Sequence, residues 1–147
     1  AHGVPPEALE LELTESAVLR VVEQPGNALV QLSGAGVASA IDDFGTGYSS
    51  LFYLKHLPVH KLKIDRTFVA EVDVDANDAA IVEAIIHMAI SLGLETVAEG
   101  VESDRQLEFL KSRSCGNVQG FLQSRPMPAA AFESWLERYN GRAEANV

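Results

Sequence analysis

Residues 36 to 50 read Gly36-Val37-Ala38-Ser39-Ala40-Ile41-Asp42-Asp43-Phe44-Gly45-Thr46-Gly47-Tyr48-Ser49-Ser50. The apolar run before the aspartates predicts a buried strand over Val37 to Asp42, and the glycines after them predict an open loop. In sheets built from alternating strands and helices, ligands bind at such strand ends. The stretch therefore predicts an α/β fold with two carboxylates at the carboxyl end of one strand.

Four further segments repeat the order of apolar strand, polar end and helix. We expect these strands over Ala8 to Leu13, Lys61 to Asp65, Glu95 to Glu99 and Asn117 to Phe121. Strands that alternate with helices pair in parallel through right-handed crossovers. Because the strand ends all carry polar groups, the pattern favours a partial TIM-type (β/α)8 barrel of about five βα units over a doubly wound sheet.

Helix limits follow from capping residues, apolar spacing, glycine and proline. The expected helices run from Ser49 or Ser50 to Pro58, from Asn77 or Asp78 to Gly93, from Ser103 or Asp104 onward, and from Ala129 to Tyr139. We assign residues 1–140 to one domain and expect residues 141–147 to form a frayed tail.

Composition restricts the classes of partner. The 147 residues carry a formal net charge of −10, which argues against binding a nucleic acid duplex, since that needs clustered Lys and Arg. A small anionic nucleotide stays possible, because metal ions can supply positive charge locally. The single cysteine, Cys115, excludes an internal disulfide and fits a reducing cytoplasm.

The sequence predicts no transmembrane segment. The longest apolar stretch, residues 79–92, is interrupted by Glu83 and His87 and is too short to span a bilayer. The first residues lack a basic region and an apolar signal core, and they lack an initiator Met. We expect the chain to be a piece of a longer protein.

The pair Asp42-Asp43 has two open interpretations. Two neighbouring carboxylates repel each other and call for a cation, which favours a site for a hard divalent metal ion. The alternative is a plain acidic turn in which Gly45 supplies a positive φ. The Asp-Phe-Gly of protein kinases does not apply, because no glycine-rich nucleotide loop or His-Arg-Asp loop accompanies it.

Three other strand ends carry candidate site residues. Lys63 alternates with apolar neighbours and is either a solvated lysine or a charged group at the barrel mouth that orients a water or phosphate. Glu99 ends an apolar strand, where a carboxylate is costly unless it is paired or holds a metal. Gln119, before Gly120, is equally explained by a buried amide that satisfies backbone groups.

The stretch Leu9 to Ser16 alternates apolar and charged residues like a strand. On its own it is explained by a half-exposed strand that enters a helix, with Thr14 as the N-cap and Glu15 in the first turn.

Taken together, these segments resemble the EAL-domain family of cyclic di-GMP phosphodiesterases. The resemblance covers about Leu9 to Tyr139 and rests on motifs in the family order: Glu12-Leu13-Thr14-Glu15-Ser16, Asp42 through Leu51, Lys63-Ile64-Asp65, Glu99-Gly100-Val101-Glu102 and Gln119-Gly120. A (β/α)8 barrel needs roughly 250 residues, so residues 1–140 match only the carboxyl-terminal part of an EAL domain. The amino-terminal Glu-Ala-Leu segment and a later Asn, which contribute metal ligands in the family, have no counterpart in this sequence.

The resemblance implies a role for each site residue. Two Mg²⁺ or Mn²⁺ ions would be held by Glu12 at the first ion, Asp42 between both, and Asp43 and Glu99 at the second. Glu99 could instead be the general base, and Lys63 would orient the attacking water. Residues that contact the substrate or support the ligands would be Glu15, Asp65, Glu102, Gln119 and Gly120, with Glu15 bracing the loop that couples the site to a dimer interface.

The resemblance also implies the function. The parent would hydrolyse cyclic di-GMP to linear pGpG by a two-metal mechanism, and the truncated chain would be impaired. The alternatives are a catalytically inactive cyclic di-GMP-binding or signalling module and a self-associating partial barrel. We expect a homodimer or higher assembly in the cytoplasm, although the parent protein could be anchored to a membrane.

Overall fold

The computed structural model describes residues 3–22, 28–47 and 54–144. Their strands form a five-stranded sheet in the order of the chain. The strands are β1 (Glu10–Thr14), β2 (Ala38–Phe44), β3 (Lys61–Ile64), β4 (Glu95–Glu99) and β5 (Asn117–Gln119). Every neighbouring pair is parallel, as expected for strands joined by crossovers. The predicted α/β fold, a part of a (β/α)8 barrel, is confirmed.

Helices follow or connect the strands. They are α1 (Glu15–Val22), α2 (Ala28–Gly34), α3 (Arg66–Val69), α4 (Ala76–Leu92), α5 (Asp104–Ser112) and α6 (Ala129–Glu144). The helix expected to begin at Ser49 or Ser50 falls largely on residues 48–53, which lie outside the described residues. Helix α6 continues past Tyr139, and residues 145–147 of the expected tail are also outside them. Across the described ranges, the helices fall short of the length and apolar character that a membrane crossing requires.

The start of α4 differs from the prediction. Asp75, rather than Asn77 or Asp78, is the N-cap, and its side chain accepts hydrogen bonds from the backbone N–H groups of both. The physical reason is that the cap must precede the first helical residue, so that its oxygen reaches the free N–H groups. The end is as predicted, with Gly93 in the left-handed region at φ 70.

The two faces of the sheet have different chemistry. One face packs against α4 and α5, and the core it forms includes Ile41, Leu62, Ile64, Ala98, Val82, Ile86, Ala89 and Leu110. The opposite face, which is the interior side of a barrel because helices cover the outside, carries Glu12, Lys61, Lys63 and Glu99. The candidate site therefore lies on the inner face at the carboxyl ends of the strands.

Candidate metal centre

A β-bulge brings the two aspartates together. Ile41 is in register with Leu62 of β3 and Phe44 with Ile64, and the register shifts between them. Two residues of β2, Asp42 and Asp43, therefore lie opposite one residue of β3, which is the definition of a bulge. In a regular strand, consecutive side chains point to opposite faces. The bulge instead allows both carboxylates to converge on one place.

Asp43 has the backbone conformation that this arrangement requires. Its φ is 54, in the left-handed region, which Asp adopts more readily than most residues. Gly45 follows with φ 99, and a Cβ there would lie 2.9 Å from Phe68 Cε2. The chain thus turns sharply after β2 and packs against α3 without room for a side chain at Gly45.

Three carboxylates form a group with the dimensions of a metal site. Asp42, Asp43 and Glu99 each present one oxygen, and these oxygens all lie within 4.8 Å of one another. One oxygen of Asp42, Oδ1, is buried and lies 2.9 Å from Lys63 Nζ. Hard carboxylate oxygens suit Mg²⁺, Mn²⁺ or Ca²⁺, so the three close carboxylates fit a divalent ion.

Lys63 lies among the carboxylates and is only 5% exposed. Its Nζ is 2.7 Å from Glu12 Oε1, 2.9 Å from Asp42 Oδ1 and 2.8 Å from Glu99 Oε1. Burial alone would lower the pKa of Lys63, but its bonds to these carboxylates outweigh burial and raise the pKa above the ordinary value. The side chain is therefore a buried ammonium, and the interpretation of Lys63 as a solvated lysine is wrong.

Among the described residues, Glu12 contacts this arrangement through its ion pair with Lys63. Its side chain is 47% exposed, and it is not a member of the group of three close carboxylates. Glu12 is in register with Ala40 of β2, two positions before Asp42. Its carboxylate pairs with Lys63 of β3, across β2.

Asp65 supports Asp43 from the end of β3. Its Oδ1 accepts a hydrogen bond from Thr67 N at 2.8 Å and another from the Thr67 hydroxyl, which makes it the N-cap of α3. Burial would raise the pKa of Asp65, but the Thr67 bonds lower it. The pKa of Asp43 is raised, first by burial, then by the charge of Asp42 and by contact with Asp65. Crowded carboxylates of this kind favour a bound cation.

Glu15 reaches the loop that follows the aspartates. It is buried, and its Oε2 accepts a hydrogen bond from Gly47 N at 3.2 Å. Its other oxygen, Oε1, is buried and accepts no hydrogen bond from the residues that the structure describes. A Cβ on Gly47 would lie 3.0 Å from Oε2, so the loop approaches the carboxylate closely. The remainder of the loop, from Tyr48 to Ser50, lies outside the described residues.

Glu102, Gln119 and Gly120 lie on the wall of a neighbouring cavity of about 920 Å³. Gly120 also has a packing reason, since a Cβ there would lie 2.1 Å from the backbone oxygen of Val101. The backbones of these two segments are hydrogen-bonded, with Val101 N donating to Gln119 O at 3.1 Å. The close crossing of two backbones accounts for the glycine without any ligand.

Several further residues of the same region were not predicted from the sequence. Arg66, Gln106, Phe132 and Trp135 also line the cavity. Of these, Gln106 could have been predicted from the sequence as a helix-capping residue, because Ser103-x-x-Gln106 is a capping-box pattern. The structure contains that capping box. The further contact of Gln106 with a distant helix had no signal in the sequence.

Known proteins are similar to this chain in sequence and in fold. A family model described as the EAL domain matches residues 1–126. The bifunctional diguanylate cyclase/cyclic di-GMP phosphodiesterase MucR of Pseudomonas aeruginosa is 53% identical over 128 residues, which are 87% of this chain and 19% of that protein. The solved PaMucR phosphodiesterase, in a c-di-GMP complex, is 52% identical with a TM-score of 0.85, and the match covers 89% of this chain and 53% of that chain.

A manganese/cy-diGMP complex of BlrP1 from Klebsiella pneumoniae is 37% identical with a TM-score of 0.77, covering 84% of this chain and 32% of that one. The chain thus spans about half of the solved PaMucR chain and about a fifth of the curated MucR protein. Because the family model matches most of the chain and the solved relatives share its fold, the chain belongs to the EAL domain family.

Proposed function

We propose that this chain supplies part of a metal-dependent phosphodiesterase centre that hydrolyses cyclic di-GMP to linear pGpG. The observation that carries the proposal is the group of Asp42, Asp43 and Glu99 around the buried ammonium of Lys63. The relatives support the substrate, since MucR is named a cyclic di-GMP phosphodiesterase and PaMucR is described in a complex with that nucleotide.

The carboxylates would hold Mg²⁺ or Mn²⁺, with two ions in an intact site. Asp42 would contact both ions, Asp43 and Glu99 the second, and Glu12 the first. When bound, such ions lower the pKa of water and polarise the phosphoryl oxygens. The description of BlrP1 as a manganese complex supports metal dependence in a relative.

Hydrolysis transfers a phosphoryl group from a sugar oxygen to water. The oxygen of water bonds to phosphorus, one ester P–O bond breaks, and the released sugar oxygen takes up a proton. Lys63 would orient the water and offset negative charge, while Glu99, where it does not hold metal, would accept the water's proton. Asp65 would keep Asp43 in place, and Glu15 would fix the loop after the aspartates.

The cavity lined by Gly100, which directly follows Glu99, and by Thr67 would receive the nucleotide. Its volume of about 920 Å³ lies within the range of small-molecule sites. Glu102 and Gln119 offer polar atoms on its wall, and Gly120 lets the wall's backbone approach that of Val101. Because the opening would hold an anionic ligand, the ions bound by the carboxylates would supply the compensating charge.

The isolated chain would turn over substrate weakly or not at all. It spans about half of the solved PaMucR chain, and in the family the Glu-Ala-Leu segment and a later Asn complete the ligands of the first ion. A second candidate follows from the same observation: a catalytically silent module that binds cyclic di-GMP and signals. In either case we expect the chain to act in the cytoplasm and to self-associate, with a homodimer as the simplest assembly.

Incubation of the chain with cyclic di-GMP and Mn²⁺, followed by chromatography for pGpG, tests the proposal. Calorimetry under the same conditions measures binding. We expect Mn²⁺ to bind with heat that Asp42→Asn abolishes, whereas the surface variant Asp73→Asn, which removes the same charge, leaves it unchanged. Binding of the nucleotide without pGpG favours the silent module. Absence of both Mn²⁺ and nucleotide binding overturns the proposal, and rapid turnover contradicts the expected impairment.

A further inference from the structure

Gln106 of α5 is a polar side chain that is only 7% exposed. Its Oε1 accepts two hydrogen bonds, from Glu102 N at 2.8 Å and from Ser103 N at 2.9 Å. Its Nε2 donates to Ala70 O at 2.9 Å. A buried amide whose oxygen and nitrogen both form hydrogen bonds is held in one orientation, because losing any of these bonds would leave a polar group unsatisfied.

The two segments that Gln106 joins both come directly from the proposed site. Ala70 is the C-cap of α3, the short helix that begins just after Asp65. Glu102 and Ser103 belong to the loop that leaves β4 after Glu99. One side chain therefore links the strand end that supports Asp43 to the strand end that carries a carboxylate of the candidate metal group.

The same two segments touch each other closely beside Gln106. Gly100 has φ 70, and a Cβ on it would lie 2.7 Å from Arg66 Cβ. Gly100 and Arg66 both line the cavity, as do Ala70 and Gln106. The hydrogen bond from Gln106 to Ala70 thus closes the cavity wall at the place where α3 and the loop after β4 meet.

We propose that Gln106 is a positioning residue for the metal centre, which fixes the Glu99 loop against α3 through its bond to Ala70 O. The proposal rests on the proposed function and extends it. The competing explanation is purely structural, since Gln106 also completes the capping box of α5 with Ser103. The two roles use different atoms, because the capping box needs Oε1 and the bond to Ala70 needs Nε2.

Two variants separate these roles. Gln106→Glu keeps an oxygen for the capping box, since Glu is a normal residue at that position, but it cannot donate to Ala70 O when ionised. Ser103→Ala does the opposite, because it removes the Ser103 Oγ that accepts from Gln106 N and leaves the bond to Ala70 intact. Both are made in the full 147-residue chain.

We expect Gln106→Glu to weaken Mn²⁺ binding roughly tenfold, a size typical for groups that support metal ligands. Ser103→Ala should change it less than about twofold while lowering the stability of the chain, as loss of a cap does. In the metal-free chain, amide hydrogen exchange should accelerate at residues 66–70 and 99–102 in Gln106→Glu, and at residues 103–106 in Ser103→Ala.

Equal effects of the two variants on Mn²⁺ binding, or unchanged exchange at residues 66–70 in Gln106→Glu, would overturn the proposal. Failure of the unmodified chain to bind Mn²⁺ would instead count against the proposed function and would leave no centre for Gln106 to position. The exchange experiment, which uses no metal, would still report the link to α3. Should Gln106→Glu not fold, Gln106→Asn replaces it. Its shorter amide cannot span both segments, so faster exchange at residues 66–70 and weaker Mn²⁺ binding in Gln106→Asn but not in Ser103→Ala would support the proposal, and equal effects of the two variants would overturn it.

Discussion

Asp43 combines an unfavourable backbone with an unfavourable charge. Its φ of 54 lies in a region that costs a non-glycine residue about 1 kcal/mol. Its carboxylate is crowded by Asp42 and Asp65, and burial together with these neighbours raises its pKa. Because the pKa of Asp43 is raised in the folded state, its ionised carboxylate lowers the stability of the fold at neutral pH. This loss of stability disappears as the pH falls through that pKa.

Asp43→Asn removes the charge of the side chain and keeps the backbone conformation, because Asn also tolerates the left-handed region. Without metal, we expect the variant to unfold at the same temperature as the unmodified chain or slightly above it, since a repulsive charge is gone. With Mn²⁺ at about 100 times its Kd, the unmodified chain should gain about 2.7 kcal/mol of stability, and the variant much less. Calorimetric melting with and without Mn²⁺ measures both. An equal gain in the two chains would remove Asp43 from the metal site.

Replacing Gly120 by a residue with a side chain should destabilise the fold, because the added Cβ would clash with backbone atoms. A Cβ there would lie 2.1 Å from Val101 O and 2.4 Å from Val101 N, and backbone atoms cannot move aside as a flexible side chain can. Gly120→Ala should therefore lower the free energy of unfolding by at least about 2 kcal/mol. Gly34→Ala is the matched control, because nothing lies within 4 Å of its added Cβ. Similar urea midpoints for both variants would show that the β4–β5 crossing relaxes freely.

Strand β3 places two lysines on the inner face, and both pair with glutamates of β1 across β2. Lys61 Nζ lies 2.6 Å from Glu10 Oε2, and Lys63 Nζ lies 2.7 Å from Glu12 Oε1. Ala40 of β2 is in register with Glu12 on one side and Lys61 on the other. Its small side chain leaves room for the ion pairs to cross β2.

The two lysines should differ in their effect on stability. Lys63→Met would leave Glu12, Asp42 and Glu99 without their shared cation, and we expect a loss of roughly 2–4 kcal/mol at pH 7. The pKa of Lys63 is raised, so its stabilisation is complete at pH 7 and is lost only as the pH rises through that raised value. Lys61→Met should cost at most about 1 kcal/mol, because its pair is partly exposed.

Urea unfolding of both variants at pH 7 and at pH 4 checks this difference. The loss in Lys63→Met should exceed the loss in Lys61→Met at both pH values, because the raised pKa of Lys63 keeps its ammonium charged throughout this range. Equal losses in the two variants at pH 7 would mean that burial of the ammonium adds nothing to the ion pairs.

The strands, which follow a repeated sequence pattern, were predictable from the sequence. The short helix α3 and the start of α4 were not. Each strand was predicted from an apolar run with a polar residue at its end, such as the run that stops at Glu99. Helix α3 was not predicted, because it has a single turn. Its N-cap, Asp65, also fits the pattern of a polar residue at a strand end. The choice among Asp75, Asn77 and Asp78 as the cap of α4 depends on where the helical backbone begins, which composition alone does not determine.

Within the candidate site, residue types were predictable and contacts were not. Alternation placed Lys63 on a face with other polar groups, but its three carboxylate partners lie on three different strands. The convergence of Asp42 and Asp43 depends on the register shift against β3, which no local pattern encodes. The link from Gln106 to Ala70 spans 36 positions in the chain and follows from the packing of α5 beside α3.

The described part of the molecule leaves considerable apolar surface exposed. In the sheet, β1 and β5 each have a single neighbouring strand, so each presents an unpaired edge. Helix α6 carries a row of stacked aromatic rings. The ring centroids of Phe132 and Trp135 lie 5.9 Å apart, and those of Trp135 and Tyr139 lie 5.0 Å apart. Phe132 is 46% exposed and Tyr139 is 49% exposed. Contiguous apolar surface of this kind marks sites of association.

We therefore expect the chain to self-associate as its concentration rises, with the aromatic row of α6 as a main contact. Sedimentation velocity across a range of concentrations measures the assembly. The double variant Phe132→Glu and Leu136→Glu places charges on the same helix face and should shift the distribution toward the monomer. Val30→Glu is the control, because Val30 is similarly exposed but lies on α2, and it should leave the distribution unchanged. A monomer at every concentration would contradict association altogether, and equal dispersal by both variants would contradict the role of α6, since the added negative charge alone would then explain it.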